Sequence, residues 1–284
     1  IEFEAQYDVI RKKNWNWSVG FNLSHNKNML RKTYNGEDLN DKVLGRPVYG
    51  IYTFKDEGIV QKEEDIPMYP NASGKQIPLY FQSINNPLRV GGRKIKDQNY
   101  DGVIDDKDLY YAGSTLPAVY GGLNSHLEWK GLSFDVLFSY TISRKVMNMY
   151  KNSAFTFTKD FGVIMNYFHA NDFWITSNRD AKYPSLEFAD KDYVGQFDGN
   201  VDSNIENISF LRLKQLVIGY QLPKNWLKGS FIKDANVYLS GENLFLITNY
   251  SGVDPEVINP YSGKDDGTQY PLNRKVTLGL NLKF

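Results

Sequence analysis

The chain has 284 residues, no cysteine, and 33 basic against 33 acidic side chains, so its formal charge is zero. Zero charge leaves no basic field to hold nucleic acid, and the missing cysteines remove disulfides, zinc knuckles and thiol nucleophiles. The mean hydropathy is −0.49, and no apolar run approaches the roughly 18 residues a membrane helix needs. Transmembrane barrels stay open, because only every second residue of their strands must be apolar.

Taken in chain order, the first segment (1–9) alternates cleanly, with Ile1, Phe3, Ala5, Tyr7 and Val9 opposing Glu2, Glu4, Gln6 and Asp8. Side chains alternate faces along a strand, so this is a ribbon with one apolar and one polar side. A short basic connection leads to a second strand (15–24) of the same kind. A long polar stretch (25–117) follows, in which 48–54 could add a strand. Strands are then expected over 118–129 and 132–143, joined by the turn pair Lys130-Gly131. After a second long stretch (144–207) comes a strand over 208–222, where Leu211 and Leu213 change parity to Leu216, Ile218 and Tyr220. A bulge near Lys214 would account for that change. A sixth strand covers 235–247, a third long loop 249–271, and a seventh strand 274–284 ends the chain with five alternate apolar residues.

Short and long connections alternate strictly. Transmembrane barrels have short periplasmic turns and long outer loops, whereas a sandwich has no reason to sort loop length by end. The expected fold is therefore an all-β, antiparallel transmembrane barrel with long extracellular loops. Tyr238, Glu242, Thr277 and Asn281 should face the lumen, and Val276 to Leu282 the lipid. Trp15, Trp17 and Trp129, next to short turns, suit a periplasmic aromatic girdle. An odd strand count that starts outside implies a chain beginning in mid-barrel, with signal peptide and plug domain elsewhere.

Within the first long loop, DQNYDGVIDDKD (97–108) fits a calcium loop. Side-chain oxygens fall at Asp97, Asn99, Asp101, Asp105 and Asp108, a backbone carbonyl at Val103, and a glycine at the sharp turn, Gly102. Hard oxygen donors suit Ca²⁺ in a structural role, of the weak extracellular type because position twelve is Asp rather than Glu. In the second loop Phe161, Tyr167, Phe168, Phe173 and Trp174 are candidates to meet substrate or a partner protein, the bland alternative being the loop's own small core. His25, His126 and His169 lack ligand or triad spacing, and the carboxylate clusters read as solvated loop faces, so no enzyme is expected.

Specific strings resemble SusC/RagA-type TonB-linked outer-membrane transporters. They are NISFLRLKQLVIGYQLP (207–223), SGENLF (240–245), YSGVDPE (250–256), AKYP (181–184), the acidic loop, and the ending YPLNRKVTLGLNLKF (270–284). The resemblance implies the C-terminal portion of a plugged barrel of about 22 strands in the outer membrane of Bacteroidetes-type bacteria. It further implies a SusD-like surface lipoprotein as lid, TonB as energy source, and import of oligosaccharides or peptides. The alternative class is a soluble or cell-surface, calcium-stabilised, β-rich carbohydrate-binding module.

Overall fold

The computed structural model describes residues 1–39, 42–149, 169–189 and 200–284. Seven long strands form one antiparallel sheet in sequence order: β1 (Glu2–Lys12), β2 (Trp15–Ser24), β3 (Val119–Trp129), β4 (Leu132–Asn148), β5 (Ile205–Gln221), β6 (Asp234–Glu242) and β7 (Lys275–Lys283). Among the described residues no helix is long and apolar enough to cross a membrane.

The register explains why these sequences form this sheet. Ile10, Trp17, Leu127, Phe134, Ile218, Leu239 and Leu278 lie side by side across all seven strands, and every one is apolar. The adjacent row is Asp8, Ser18, His126, Asp135, Val217, Ser240 and Thr277, polar except at Val217. One slip of register in any strand would carry its leucines to the polar face, so the pattern fixes the pairing.

Two bulges keep that register. At Val9 the pairing steps from Asp8↔Ser18 to Ile10↔Trp17, so β1 runs three residues beyond the expected end at 9. At Lys214 it steps from Leu213↔Phe138 to Gln215↔Leu137. The extra residue puts Leu213 and Leu216, three apart in sequence, on one face. It also breaks the ladder opposite. The strand expected over 235–247 divides at Asn243, whose backbone N–H bonds Lys214 O at 3.1 Å and whose φ is +51°, and Leu246–Thr248 re-pairs with β5 further along. Lys130 and Gly131, at φ +49° and +87°, form the primed two-residue turn whose twist suits a hairpin.

β4 extends to Asn148 rather than 143, because an irregularity at Ser143 (φ +55°) resets the strand instead of ending it. The segment 48–54 does hold a strand, Gly50–Thr53, but it pairs with Tyr110–Ser114 apart from the main sheet.

The core lies in the long loops. Val60, Ile66, Leu79, Phe81, Leu88, Ile95, Ile104 and Val201 form one buried cluster, with Phe54, Tyr69 and Val90 packed against it. The apolar side of the sheet is open instead: Leu278 is 76% exposed and Leu239 45%, whereas Val60 is 0% exposed. A protein in water buries the apolar face of its sheet first. Here the loops between strands bury theirs and the strands do not.

Candidate functional site

Three features could carry function: the polar face of the sheet, the folded loops at its long-connection end, and the acidic loop within them.

On the polar face, His126 of β3 bonds the Asp135 carboxylate of β4 through Nδ1, directly across the strand pair, and its Nε2 lies 3.6 Å from Glu128 Oε1. Tyr238 lies over Gly279, where a Cβ would meet the ring at 2.2 Å, so glycine at that position makes room for the tyrosine. Glu242 pairs with Lys275 at 3.4 Å. These are groups that hydrate and hydrogen-bond a solute. No nucleophile is poised against a base among them.

At the long-connection end the same face is closed by the loop that follows β6. The register puts Arg212 of β5 opposite Ser139, hence on the polar side. Its guanidinium donates to Asp254 Oδ1 at 2.5 Å. Glu256 Oε2 lies 2.6 Å from Arg212 Nε, a close ion pair whose N–H is not aligned for a hydrogen bond, and Lys214 Nζ lies 2.5 Å from Glu256 Oε1. Arg144 of β4 donates to four carbonyls, those of Thr115, Pro255, Ile258 and Asn259, at 3.0–3.4 Å. The Tyr250 hydroxyl donates to Asp265, and burial pushes its pKa well up. Charged side chains buried like this persist only when paired. Arg144 interrupts the apolar parity of its strand, which was a sequence signal, whereas Arg212 keeps the polar parity between Leu211 and Leu213 and gave none; the expectations from sequence passed over both.

The loops 42–117 and 200–204 are joined by a second polar cluster. Asp202 Oδ2 accepts from Lys55 Nζ at 2.6 Å and from the Tyr110 hydroxyl at 2.7 Å. Burial pushes Asp202 up, but Lys55 and the other donors outweigh it and hold the carboxyl below its usual range. Burial first, then the Asp202 bond, pushes Tyr110 up to about 12. Asp56 accepts from Arg93 and from Ser203. Asp56, Arg93 and Ser203 line a cleft of about 260 Å³, together with Lys182 and Tyr183.

Of the ring candidates, Phe161, Tyr167 and Phe168 lie outside the described residues. Phe173 and Trp174 are 5% and 8% exposed. Both are buried, as the alternative of a small loop core expects: Trp174 sits against Gly91 (φ +83°), where a Cβ would meet its ring at 2.5 Å, and donates to Gln61 Oε1 at 3.0 Å.

The acidic loop folds as a series of turns. Asp97 accepts from Tyr100 N (2.7 Å) and Gly102 N (2.9 Å), and Asp108 from Gln98 N (2.7 Å) and Asp105 N (2.9 Å). Asn99 Oδ1 accepts from Asp101 N, Asp101 Oδ1 from Val103 N, and Asp105 Oδ1 from Lys107 N. Gly102 takes φ +84°, as the sharp turn requires. Lys107 Nζ lies 3.9 Å from Asp101 and 3.6 Å from Asp105. Ile104 is buried in the loop core and anchors this segment. Among the described residues no three carboxylate or imidazole groups converge on a point that would hold an ion. The calcium expectation keeps its donor types without a formed cage.

An open antiparallel sheet, apolar and exposed on one side, polar on the other, with loops folded at one end, defines a segment of barrel wall. No family model matches the chain. Over its whole length it is similar to TonB-dependent receptor P26 of Formosa agariphila, at 29% identity across 296 residues. TonB-dependent receptor SusC of Bacteroides thetaiotaomicron is 26% identical across 288 residues, again over 100% of this chain. Among solved structures, the RagAB peptide transporter matches all of the chain with a TM-score of 0.68 at 22% identity. The RagAB peptide importer in its open-open state matches with a TM-score of 0.65 at 24% identity. The SusC/RagA-type resemblance therefore holds along the full chain, and the fold is that of a part of such a barrel. The chain spans 28% of the P26 receptor, 26% of SusC and 29% of the RagAB chain. Its relatives are named as receptors and transporters, not as enzymes.

Proposed function

We propose that this chain forms part of the wall, lumen lining and outer loops of a TonB-dependent nutrient importer in the outer membrane of a Bacteroidetes-type bacterium. The observation that carries this reading is the seven-strand apolar row from Ile10 to Leu278 on the exposed side of the sheet. Such a row is costly in water and favourable against acyl chains. The opposite face supplies hydrogen-bonding groups for a hydrophilic solute, in keeping with import of an oligosaccharide or peptide. A SusD-like lipoprotein lids the loop end in this reading, and TonB supplies energy through parts of the protein beyond this chain.

The test is extraction and partnership of the intact protein. It should leave membranes only with detergent, shift mobility on heating as a barrel does, and bring down a surface lipoprotein with bound ligand. Release of the intact protein into buffer without detergent would favour the β-rich binding module instead.

Calcium enters as a separate proposal for the acidic loop, supported by two neighbouring carboxylates, Asp97 and Asp108, that are 5% and 0% exposed. Binding requires Asp101 and Asp105 to leave Lys107 and turn inward. A melting temperature that rises with calcium at about 1 mM, and no longer does so in Asp101→Ala, supports the site. Equal melting with calcium and with chelator removes it.

A further inference from the structure

The chain's zero net charge conceals a division between its two ends. The three short connections and the strand ends beside them carry Arg11, Lys12, Lys13, Lys130, Lys224, Lys228, Lys233 and Lys283 against three acidic side chains, Asp8, Glu128 and Asp234. Asp234 is bonded by Gln221 and Glu128 by Asn16. All eight basic residues are exposed. Among the described residues Lys12, Lys13, Lys224, Lys228 and Lys283 have no acidic partner, whereas at the long-loop end Lys55, Lys62, Arg93, Lys94, Lys107, Arg212 and Lys214 all do. Arg11 pairs with Asp8 at 3.5 Å, so the short-turn end carries a surplus of exposed lysines rather than a full set of unpaired cations.

The unpaired cations border an aromatic edge. The last apolar row before the turns runs Lys12, Trp15, Trp129, Leu132, Tyr220, Val237 and Leu280, so Lys12 itself shares the apolar face. Lys130 Nζ lies 5.3 Å from the centre of the Trp129 ring. In the β5–β6 connection Trp226 and Phe231 are 71% and 77% exposed, and Phe231 stacks on Phe284 at 5.6 Å. Indole and phenyl rings favour the headgroup level of a bilayer, and lysine extends its ammonium from the apolar edge towards the phosphates.

We propose that this short-turn end binds the phosphate groups of anionic phospholipids in the adjoining leaflet. The inference rests on the membrane reading above and adds a lipid preference to it. Charge complementarity points to an anion, and the continuity of the cations with the apolar row and its rings points to a lipid anion rather than a dissolved one.

The intact protein containing this chain, reconstituted in bilayers of phosphatidylcholine and phosphatidylglycerol, provides the test. Lipid retained after detergent extraction is quantified by mass spectrometry. Wild type should retain phosphatidylglycerol several-fold above its share of the bilayer, and the excess should shrink at about 0.5 M salt. The combined variant Lys13→Gln, Lys130→Gln, Lys224→Gln, Lys228→Gln should return to the bulk ratio. A matched variant at the other end, Lys27→Gln, Lys32→Gln, Lys62→Gln, Lys75→Gln, should keep the excess. Should the turn variant fail to assemble, the salt response of wild type decides alone. A wild type without excess, an excess insensitive to salt, or a turn variant that keeps it would overturn the inference. Failure to insert into bilayers at all would contradict the membrane reading itself, which is a different outcome.

Discussion

Arg212 and Asp254 are joined by a hydrogen bond of 2.5 Å with side chains 4% and 3% exposed, which ties β5 to the loop that follows β6. Asp254 also receives Glu256 N and Leu272 N, so one carboxylate holds three points of chain. Removing Arg212 leaves the Asp254 charge buried and uncompensated, at a cost of about 3–5 kcal/mol, whereas removing Asp254 leaves Arg212 with Glu256 at 2.6 Å and should cost less. Arg212→Ala and Asp254→Ala should each open the loop 249–271 to protease while the heat-modifiable mobility of the barrel persists. Cleavage patterns identical to wild type would show that the loop is held by other contacts.

The two faces of β7 should respond oppositely to charge. Leu278→Arg places a cation in the apolar row and should lower stability by about 2–4 kcal/mol in bilayers, whereas Thr277→Arg on the polar face should change it little. Urea unfolding in lipid vesicles distinguishes them.

The Lys55–Asp202–Tyr110 cluster should be sensitive to acid. Asp202 is held below the ordinary carboxylate range in the folded protein. Its contribution to stability is therefore present above the unfolded pKa and is lost as pH falls through the lower folded value. Protection of the segments around Lys55 and Asp202 from hydrogen exchange should fall on acidification in wild type. In Asp202→Asn the protection should be lower at neutral pH and show less of this acid step.

Trp174 should report on the loop core. Gly91→Ala brings a Cβ to 2.5 Å of its ring at φ +83°. The variant should expose the indole and move its fluorescence to the red. Trp174→Ala should destabilise the folded loops by about 3–5 kcal/mol. Unchanged melting of the loops would mean that the ring is not part of their core.

The strands were legible because period-two alternation is a local signal that needs no tertiary information. The bulge at Lys214 was visible too, as the parity change between Leu213 and Leu216. The break at Asn243 was not, because it answers a bulge on the neighbouring strand. The core of the long loops was hidden for a related reason. Phe81, Ile95 and Ile104 come from short strands whose pairings are non-local, and Val60 and Leu79 lie just outside such strands, with no periodic run long enough to announce them. For Phe173 and Trp174 the sequence left open a binding surface or a small loop core, because it gives the number of rings but not the partners, Gly91 and Gln61, that bury Trp174. The meaning of Arg144 and Arg212 depends on loop residues over forty positions away in sequence.

Thiol accessibility along β7 tests the central claim most directly, because this chain contains no cysteine of its own. Single cysteines would replace each residue from Lys275 to Lys283 in the intact protein, in native membranes, and be treated with a membrane-impermeant maleimide. Labelling should alternate, strong at 277 and 281 on the water-facing side and weak at 276, 278 and 280 against lipid, with 279 left out because Tyr238 covers it. Uniform labelling of both sets would contradict a wall with one face in lipid and one towards water.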